Sequence, residues 1–143
     1  MSAFCTEAAN GRERMSHPNA DLLRSHLEAL GRGDIDAAIG LYADDVVFHY
    51  PGHNPLSGDY RGKKEVLALM GRVMELTSGT FRPEVHDILA SDDHVAALVI
   101  VRAERQGQPI EWRSVDLFHV SDGLLSEHWV HEVDQEAVDR FWS

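Results

Sequence analysis

The sequence predicts an α+β domain in which helices pack on one face of a curved antiparallel sheet. Apolar residues recur at helical spacing over most of residues 17–77, and the pattern then changes to that of strands over residues 80–133. The later strands are separated by short turns of hairpin type, which join antiparallel neighbours. Helices that precede a run of hairpin-linked strands are typical of the α+β class.

Two helices are predicted at the start of the domain. Ser16 can cap the first, Pro18 suits its first turn, and Gly31 is placed to end it. Asp34 can cap the second helix, whose apolar face would extend to Tyr42. Both helices therefore offer an apolar stripe to a core.

A short strand and a third helix follow. The run VVFHY at residues 46–50 is rich in strand-forming residues and stops at a proline-glycine pair. Residues 51–62 (PGHNPLSGDYRG) read as a loop long enough to act as a lid. A third helix is expected at about residues 63–77, and Gly79 is placed to end it.

Four strands and a short helical tail complete the chain. The tail is expected from Asp134 to Trp142. The strands are separated by short turns, which are an Asp-Asp pair, a turn centred on Gly107 and an Asp-Gly pair. Turns of this kind join antiparallel neighbours, so the strands are expected to form an antiparallel meander. The predicted strands are residues 80–90, 94–105, 109–120 and 124–133.

The chain of 143 residues is long enough for one domain with a sizeable core. Residues 1–16 show neither helical nor strand periodicity, so we interpret them as a flexible extension in which Met15 is a second candidate start. Residues 17–143 contain no repeat, low-complexity segment or linker. One domain is therefore expected over residues 17–143.

Composition excludes several classes of partner. A net charge of −11 without any basic cluster argues against nucleic acid as a partner. No apolar run reaches 18 residues, so no membrane span is expected. The single cysteine, Cys5, cannot form an intrachain disulfide, and the N-terminus lacks the pattern of a secretory signal. These features favour a cytoplasmic protein.

Common catalytic motifs are absent from the sequence. It contains neither a phosphate-binding glycine motif nor a G-x-S-x-G elbow, so Ser57 is unremarkable. Nine histidines raise the question of a metal, but HExxH is missing. His128 and His131 lie three apart on a predicted strand and so point to opposite faces. We therefore expect no metal.

Asp116 is the most informative polar residue. It shares the more apolar face of its strand with Ile110, Trp112, Ser114, Phe118 and Val120. A carboxyl group on such a face must be paired, protonated or turned toward a cavity. A buried aspartate that only satisfies hydrogen bonds is the equally weighted alternative. Periodicity also leaves open whether His128 or His131 faces the same side.

Two segments carry a family resemblance. LYADDVVFHYPGHNPLSGDYRGKKEV and VDLFHVSDGLLSEHW resemble SnoaL-like members of the nuclear transport factor 2-like superfamily, over about Leu22 to Trp142. The resemblance implies a cystatin-like cone, with three N-terminal helices packed on a strongly curved antiparallel sheet that encloses an apolar pocket. It also implies a homodimer through the open face of the sheet, with Trp129 outward.

The superfamily includes ketosteroid isomerases, polyketide cyclases, epoxide hydrolases, a dehydratase and binding proteins without activity, so the fold alone does not give the function. Asp116 matches the strand acid of the isomerases and cyclases. Tyr50 stands where the isomerases have their general base, and tyrosine is a poor base near neutral pH. Val130 replaces the acid that ends the E-H-W-D motif of the cyclases and belongs to the triad of the hydrolases.

The resemblance places His128 on the inward face with Ser126, Val130 and Glu132. We therefore expect Asp116 and His128 to be the catalytic pair, without a cofactor. The residues expected to contact the ligand are Tyr50, His49, Trp112, Phe118, Val130 and Glu132. The predicted function is acid/base chemistry of isomerase, cyclase or dehydratase type on an apolar cyclic or polyketide-like molecule. The alternative is a ligand-binding or dimerisation module without turnover.

Overall fold

The computed structural model describes residues 16–143; the extension expected at residues 1–16, including Met15, falls outside it except for Ser16. The helices are α1 (Pro18–Gly31), α2 (Ile35–Gly40), α3 (Gly62–Leu76) and α4 (Gln135–Trp142). The strands are β1 (Tyr42–Tyr50), β2 (Gly58–Arg61), β3 (Arg82–Ala90), β4 (His94–Arg105), β5 (Gln108–Ser121) and β6 (Leu124–Glu132). None of the helices in residues 16–143 is long and apolar enough to cross a membrane.

Helix α1 begins one residue later than a Ser16 cap would require. The Nδ1 atom of His17 accepts a hydrogen bond from the backbone N–H of Asn19 at 3.0 Å, which makes His17 the cap. The Ser16 hydroxyl instead donates to Asp21 at 2.8 Å. A histidine can replace serine here because its unprotonated ring nitrogen is also an acceptor.

Helix α2 is capped as expected but is shorter than its apolar pattern suggested. Asp34 accepts from the backbone N–H of Ala37 at 3.1 Å. The helix ends at Gly40, and Tyr42 is already the first residue of β1 rather than part of the helical face. Strand β1 thus spans nine residues where five were predicted.

All six strands form one sheet in the order β2-β1-β6-β5-β4-β3. Strands β3 to β6 form the predicted antiparallel meander. The sheet as a whole is mixed, however, because β1 runs parallel to β6 and places Phe48 opposite His128. The expected lid contains β2, which pairs with β1, so only residues 51–57 remain a loop.

The core lies between the helices and the concave face of the sheet. Helix α1 packs on β3 and β4, and α3 packs on β1 and β2. The apolar face of α3 is buried in this core through Val66, Leu69, Met70 and Val73. Each such aliphatic side chain contributes roughly 1.5–3 kcal/mol when it is removed from water.

A β-bulge interrupts the hairpin of β5 and β6. His119 pairs with Glu127 and Val120 pairs with Leu125, which leaves Ser126 without a partner. Ser126 turns its hydroxyl to the carbonyl of His119 at 3.1 Å instead of facing the core. Leu125 is fully buried as a result. The family resemblance had placed Ser126 on the inward face, and strict alternation would then turn Leu125 outward. The bulge reverses both, because alternation does not anticipate an extra residue in one strand.

Candidate active site

A cavity opens between α1, α3 and the concave face of the sheet. The space not filled by protein atoms amounts to about 580 Å³ when the solvent at its mouth is included, and about 60 Å³ of it admits the centre of a water molecule. Most of its lining is aliphatic or aromatic. The polar residues in it are Tyr50, Ser114, Asp116, His128 and Glu132. An apolar cavity with a few convergent polar groups is the usual form of a small-molecule site.

Asp116 and His128 both line this cavity and contact each other. The Oδ2 atom of Asp116 lies 3.1 Å from Nε2 of His128, and its Oδ1 accepts from the Ser114 hydroxyl at 3.0 Å. The side chain of Asp116 is 14% exposed and that of His128 is 3% exposed. The carboxyl on the apolar strand face is thus both hydrogen-bonded and open to a cavity.

Tyr42 completes a chain of four hydrogen-bonded side chains, in the order Ser114, Asp116, His128 and Tyr42. Its hydroxyl lies 2.8 Å from Nδ1 of His128. Burial raises the pKa of Tyr42 well above its usual value, so the hydroxyl keeps its proton and donates it to Nδ1. Burial also lowers the pKa of His128, although hydrogen bonding to Asp116 opposes this effect. A neutral His128 that accepts at Nδ1 must carry its proton on Nε2, facing Asp116.

Two phenylalanines hold the His128 ring from both sides. Its centroid lies 3.9 Å from that of Phe48 on β1 and 3.9 Å from that of Phe118 on β5. Phe118 was expected to contact the ligand, but it is not among the residues that line the cavity. It is the strand neighbour of His128 across the β5–β6 pair, so its ring covers the imidazole rather than a ligand.

Tyr50, Trp112 and Val130, three of the residues expected to contact the ligand, line the cavity. The Tyr50 hydroxyl accepts a hydrogen bond from the indole N–H of Trp142 on α4 at 2.9 Å. Burial, and then the charge of Glu132, raises the pKa of Tyr50. This tyrosine stays protonated, in agreement with its being a poor base.

Glu132 lines the same cavity and differs from its polar neighbours. Its Oε2 atom is buried and has no hydrogen-bond partner among the described residues. Burial, followed by the charges of Asp116 and Asp139, raises the pKa of Glu132 to about 8. At neutral pH the group is therefore mainly an uncharged carboxylic acid.

His49 was expected to contact the ligand, but it lies on the other face of the sheet and does not line this cavity. Phe48 and Tyr50 face the cavity, and alternation along a strand sends the residue between them outward. The His49 ring forms hydrogen bonds through Nδ1 to Asp59 at 2.8 Å and through Nε2 to Glu127 at 2.6 Å. It also stacks on the ring of Trp129. Burial lowers the pKa of His49, but these two carboxylates outweigh it and the net pKa is raised.

His26, on α1, is a further buried residue that the sequence did not single out. Its Nδ1 atom lies 3.0 Å from the carbonyl of Ala38, and its ring packs edge-on against Tyr42 and Phe118. Burial lowers the pKa of His26 to about 4. The sequence does contain a sign of its burial, because His26 lies within the apolar stripe formed by Leu23, Leu27 and Leu30.

Residues 16–143 hold no group of three or more histidine, cysteine or acidic side chains placed to bind a metal ion. The arrangement in the cavity offers acid/base groups instead. A hydrogen-bonded carboxyl group, a neutral imidazole and a protonated glutamic acid meet in an apolar space. Groups of this kind can accept, hold and donate protons without a cofactor.

The curated relatives include the uncharacterized protein Rv0034 of Mycobacterium tuberculosis. It is 31% identical over 124 residues, which cover 86% of this chain and 95% of that protein. The sequence profile of the SnoaL-like domain matches residues 23–128. The match therefore includes Asp116 and ends at His128.

Several solved structures have the same fold. Bal32a, from a soil-derived mobile gene cassette, is 29% identical with a TM-score of 0.85, over 88% of this chain and 97% of that one. A cystatin-like protein of Xanthomonas campestris is 31% identical with a TM-score of 0.81, over 86% and 96%.

IdmH, a putative polyketide cyclase of Streptomyces antibioticus, has a TM-score of 0.69 over 86% of this chain and 94% of its own. At 24% identity this likeness shows the fold alone. With its mixed sheet, its cavity and a profile match over most of its length, the chain belongs to the SnoaL-like domain family, and its fold is cystatin-like.

Proposed function

We propose that this protein binds an apolar cyclic or polyketide-like molecule in its cavity and catalyses proton transfer on it without a cofactor. The observation that carries the proposal is the contact between Asp116 and His128 at the wall of an apolar cavity. A carboxylate within reach of a ligand in the cavity can act as a general base. The proposal is also consistent with the shared fold of IdmH, which is described as a putative polyketide cyclase.

In the proposed step, the carboxylate of Asp116 removes a proton from a carbon next to a carbonyl group. The electron pair of that C–H bond forms a C=C bond, and the carbonyl π electrons move to oxygen. Asp116 becomes a carboxylic acid. Where a second C=C bond adjoins the deprotonated carbon, the enolate is a dienolate, and Asp116 returns the proton to the far carbon of that bond; the C=C bond shifts into conjugation with the re-formed carbonyl, which isomerises the molecule. Where the enolate instead attacks a second carbonyl, Asp116 returns the proton to the alkoxide that forms.

His128 acts through Asp116 in this scheme. Its Nε2–H donates to Oδ2, and the Ser114 hydroxyl donates to Oδ1. Each carboxylate oxygen has two lone pairs, so each keeps one for the substrate proton. Tyr42 and the two phenylalanine rings hold the imidazole in place.

Deuterium exchange tests the proposal without knowledge of the natural substrate. Cyclohexanone and 2-tetralone in D₂O exchange the protons next to the carbonyl when they enolise, and NMR follows the loss of signal. We expect the wild-type protein to accelerate this exchange and Asp116→Asn to lower the acceleration about 10²- to 10⁴-fold. Asp45→Asn, a change of an exposed aspartate of β1, is the matched control.

Equal exchange rates for wild type and Asp116→Asn would contradict the proposal. Ketones that bind to both proteins without any acceleration would instead identify a ligand-binding module without turnover. The homodimer implied by the family stays a prediction, and sedimentation equilibrium tests it. The cytoplasmic location stays a prediction as well.

A further inference from the structure

Among the polar side chains of the cavity, Glu132 differs in having a carboxyl oxygen without a hydrogen-bond partner. Tyr50 is bonded to Trp142, Ser114 to Asp116, and His128 to both Tyr42 and Asp116. The Oε2 atom of Glu132 is buried and has no partner among the described residues. A buried polar atom without a partner is costly, so a native example calls for an explanation.

The charges around Glu132 are all negative or potentially negative. Asp116 faces it from β5, Tyr50 from β1 and Asp139 from α4, and each interacts with it electrostatically. The described residues that line the cavity include no lysine or arginine. No cation is therefore available there to stabilise an ionised Glu132.

The strand register sets the spacing between Glu132 and Asp116. Ser114 pairs with Glu132 and Asp116 pairs with Val130, so the two acids are diagonal neighbours on one face. Diagonal neighbours on an antiparallel pair are about 7–8 Å apart. A carbonyl group and its adjacent carbon fit between side chains at this spacing.

We propose that Glu132 is the group that binds the carbonyl oxygen of the ligand, as an uncharged carboxylic acid that donates its O–H. The cavity then takes uncharged carbonyl compounds and discriminates against carboxylates of the same shape. This inference rests on the proposed function, because it adds the acid to the reaction in which Asp116 is the base. Burial and the neighbouring carboxylates, which raise the pKa of Glu132 to about 8, support it.

The proton balance of the step is simple. As Asp116 takes the proton from carbon, negative charge develops on the carbonyl oxygen, and the O–H of Glu132 donates a hydrogen bond to it. Glu132 keeps its proton throughout or lends it to the enol and recovers it when the carbonyl re-forms. A donor in place before the charge develops stabilises the transition state more than the ground state.

Three probes of one shape test the ligand class: acetophenone, which is neutral, benzoate, which is an anion, and benzylammonium, which is a cation. Calorimetry gives the affinities, and the infrared stretch of ¹³C=O-labelled acetophenone reports the hydrogen bond to its oxygen. The variants are Glu132→Gln, which keeps a donor, and Glu132→Leu, which removes it. Glu136→Gln, a change of an exposed acid on α4, is the control.

We expect acetophenone to bind at least tenfold more tightly than benzoate, with its carbonyl stretch shifted to lower frequency. Glu132→Leu should weaken the binding of acetophenone about tenfold and abolish the shift of its carbonyl stretch. Glu132→Gln should retain part of the affinity and part of the shift. The wild-type protein at neutral pH should also show the infrared band of a protonated carboxyl group, which Glu132→Gln removes and Glu136→Gln does not.

Other results would overturn the inference. Tightest binding of benzylammonium, lost in Glu132→Gln, would make Glu132 an anionic anchor for amines. An unchanged carbonyl stretch in Glu132→Leu, or no binding of acetophenone, would also contradict it. The two proposals can fail separately. If the proposed function is wrong and this inference is right, the protein does not accelerate deuterium exchange, but the carbonyl shift still depends on Glu132. If the proposed function is right and this inference is wrong, Asp116→Asn abolishes the exchange, but neither Glu132 variant alters the carbonyl shift.

Discussion

The hydroxyl of Tyr42 lies 2.8 Å from Nδ1 of His128, although 86 positions separate the two residues in the chain. This contact decides which nitrogen of the imidazole carries the proton. Because Nδ1 accepts from Tyr42, Nε2–H points to Asp116. A tyrosine behind the cavity wall thus controls the hydrogen bond made by the proposed base.

Tyr42→Phe should destabilise the protein while leaving its fold intact. The change leaves the buried Nδ1 of His128 without a donor, which costs about 1–3 kcal/mol of unfolding free energy. Urea denaturation measures the loss. Tyr60→Phe is the control, because its hydroxyl donates to the carbonyl of Leu56 at a half-exposed site, and we expect a loss of only about 0.5–1.5 kcal/mol. Equal losses would show that the His128 contact has no special weight.

The pH dependence of stability should report Glu132. Its pKa is raised from 4.5 to about 8 in the folded protein, so between these values the folded state binds more protons than the unfolded state. The stabilisation is fully present below pH 4.5 and is lost as the pH rises through 8, by at most about 1.4 kcal/mol per pH unit.

Urea denaturation at intervals from pH 5 to pH 8 checks this expectation. The unfolding free energy of wild type should fall relative to that of Glu132→Gln as the pH rises. The corresponding difference for Glu136→Gln should stay flat. A parallel pH profile for wild type and Glu132→Gln would mean that Glu132 ionises normally in the folded protein.

His26 should make the protein sensitive to acid. Its pKa is lowered from 6.5 to about 4 by burial, so the unfolded state binds more protons between these values. Stability should therefore be lost as the pH falls from 6.5 toward 4, by at most about 1.4 kcal/mol per pH unit from this residue. Thermal or urea unfolding of His26→Gln should show a smaller slope in this range. His86→Gln, at an exposed position of β3, should keep the wild-type slope.

Asp139 should control the mobility of the loop at residues 51–57. Its Oδ1 accepts from the backbone N–H of His53, the side-chain amide of Asn54 and that of Gln135, at 3.1, 2.8 and 3.0 Å. Gly52 permits this approach, because a Cβ there would lie 2.2 Å from the same oxygen and its φ is +91°.

Asp139→Ala removes the shared acceptor of these three donors. Hydrogen–deuterium exchange followed by mass spectrometry should then show faster exchange in peptides covering residues 51–57, with β4 and β5 unchanged. Asp45→Asn should leave the loop as in wild type. Unchanged protection in Asp139→Ala would show that other contacts hold the loop.

The sequence was sufficient for features that depend on local patterns. The helical stripes, the hairpin turns and the apolar strand face of Asp116 all follow from spacing within a few residues. The inward face of His128 came from the family resemblance. The parallel pairing of β1 with β6 could not be read, because it joins segments about 80 residues apart and local periodicity carries no information on such partners.

The errors have equally specific causes. Tyr42 was assigned to the helical face because it follows Ile39 by three residues, a spacing that suits a helix. The bulge at Ser126 reversed the faces of two residues in a strand that otherwise alternates. Both His49 and Tyr50 were expected at the mouth of the cavity, but alternation along β1 puts these neighbours on opposite faces of the sheet. Phe118 is on the correct face but is covered by His128.

The parallel pair of β1 and β6 also has a consequence for biosynthesis. A growing chain makes Phe48 and Tyr42 early, but His128 must emerge before it can pack between Phe48 and Phe118. Contacts between residues so distant in sequence form slowly, because a long loop must be closed first. While residues 124–132 remain inside the ribosome, helices and hairpins can form, but the polar chain at the cavity cannot. We therefore expect ligand binding to begin only after the last strand has been released.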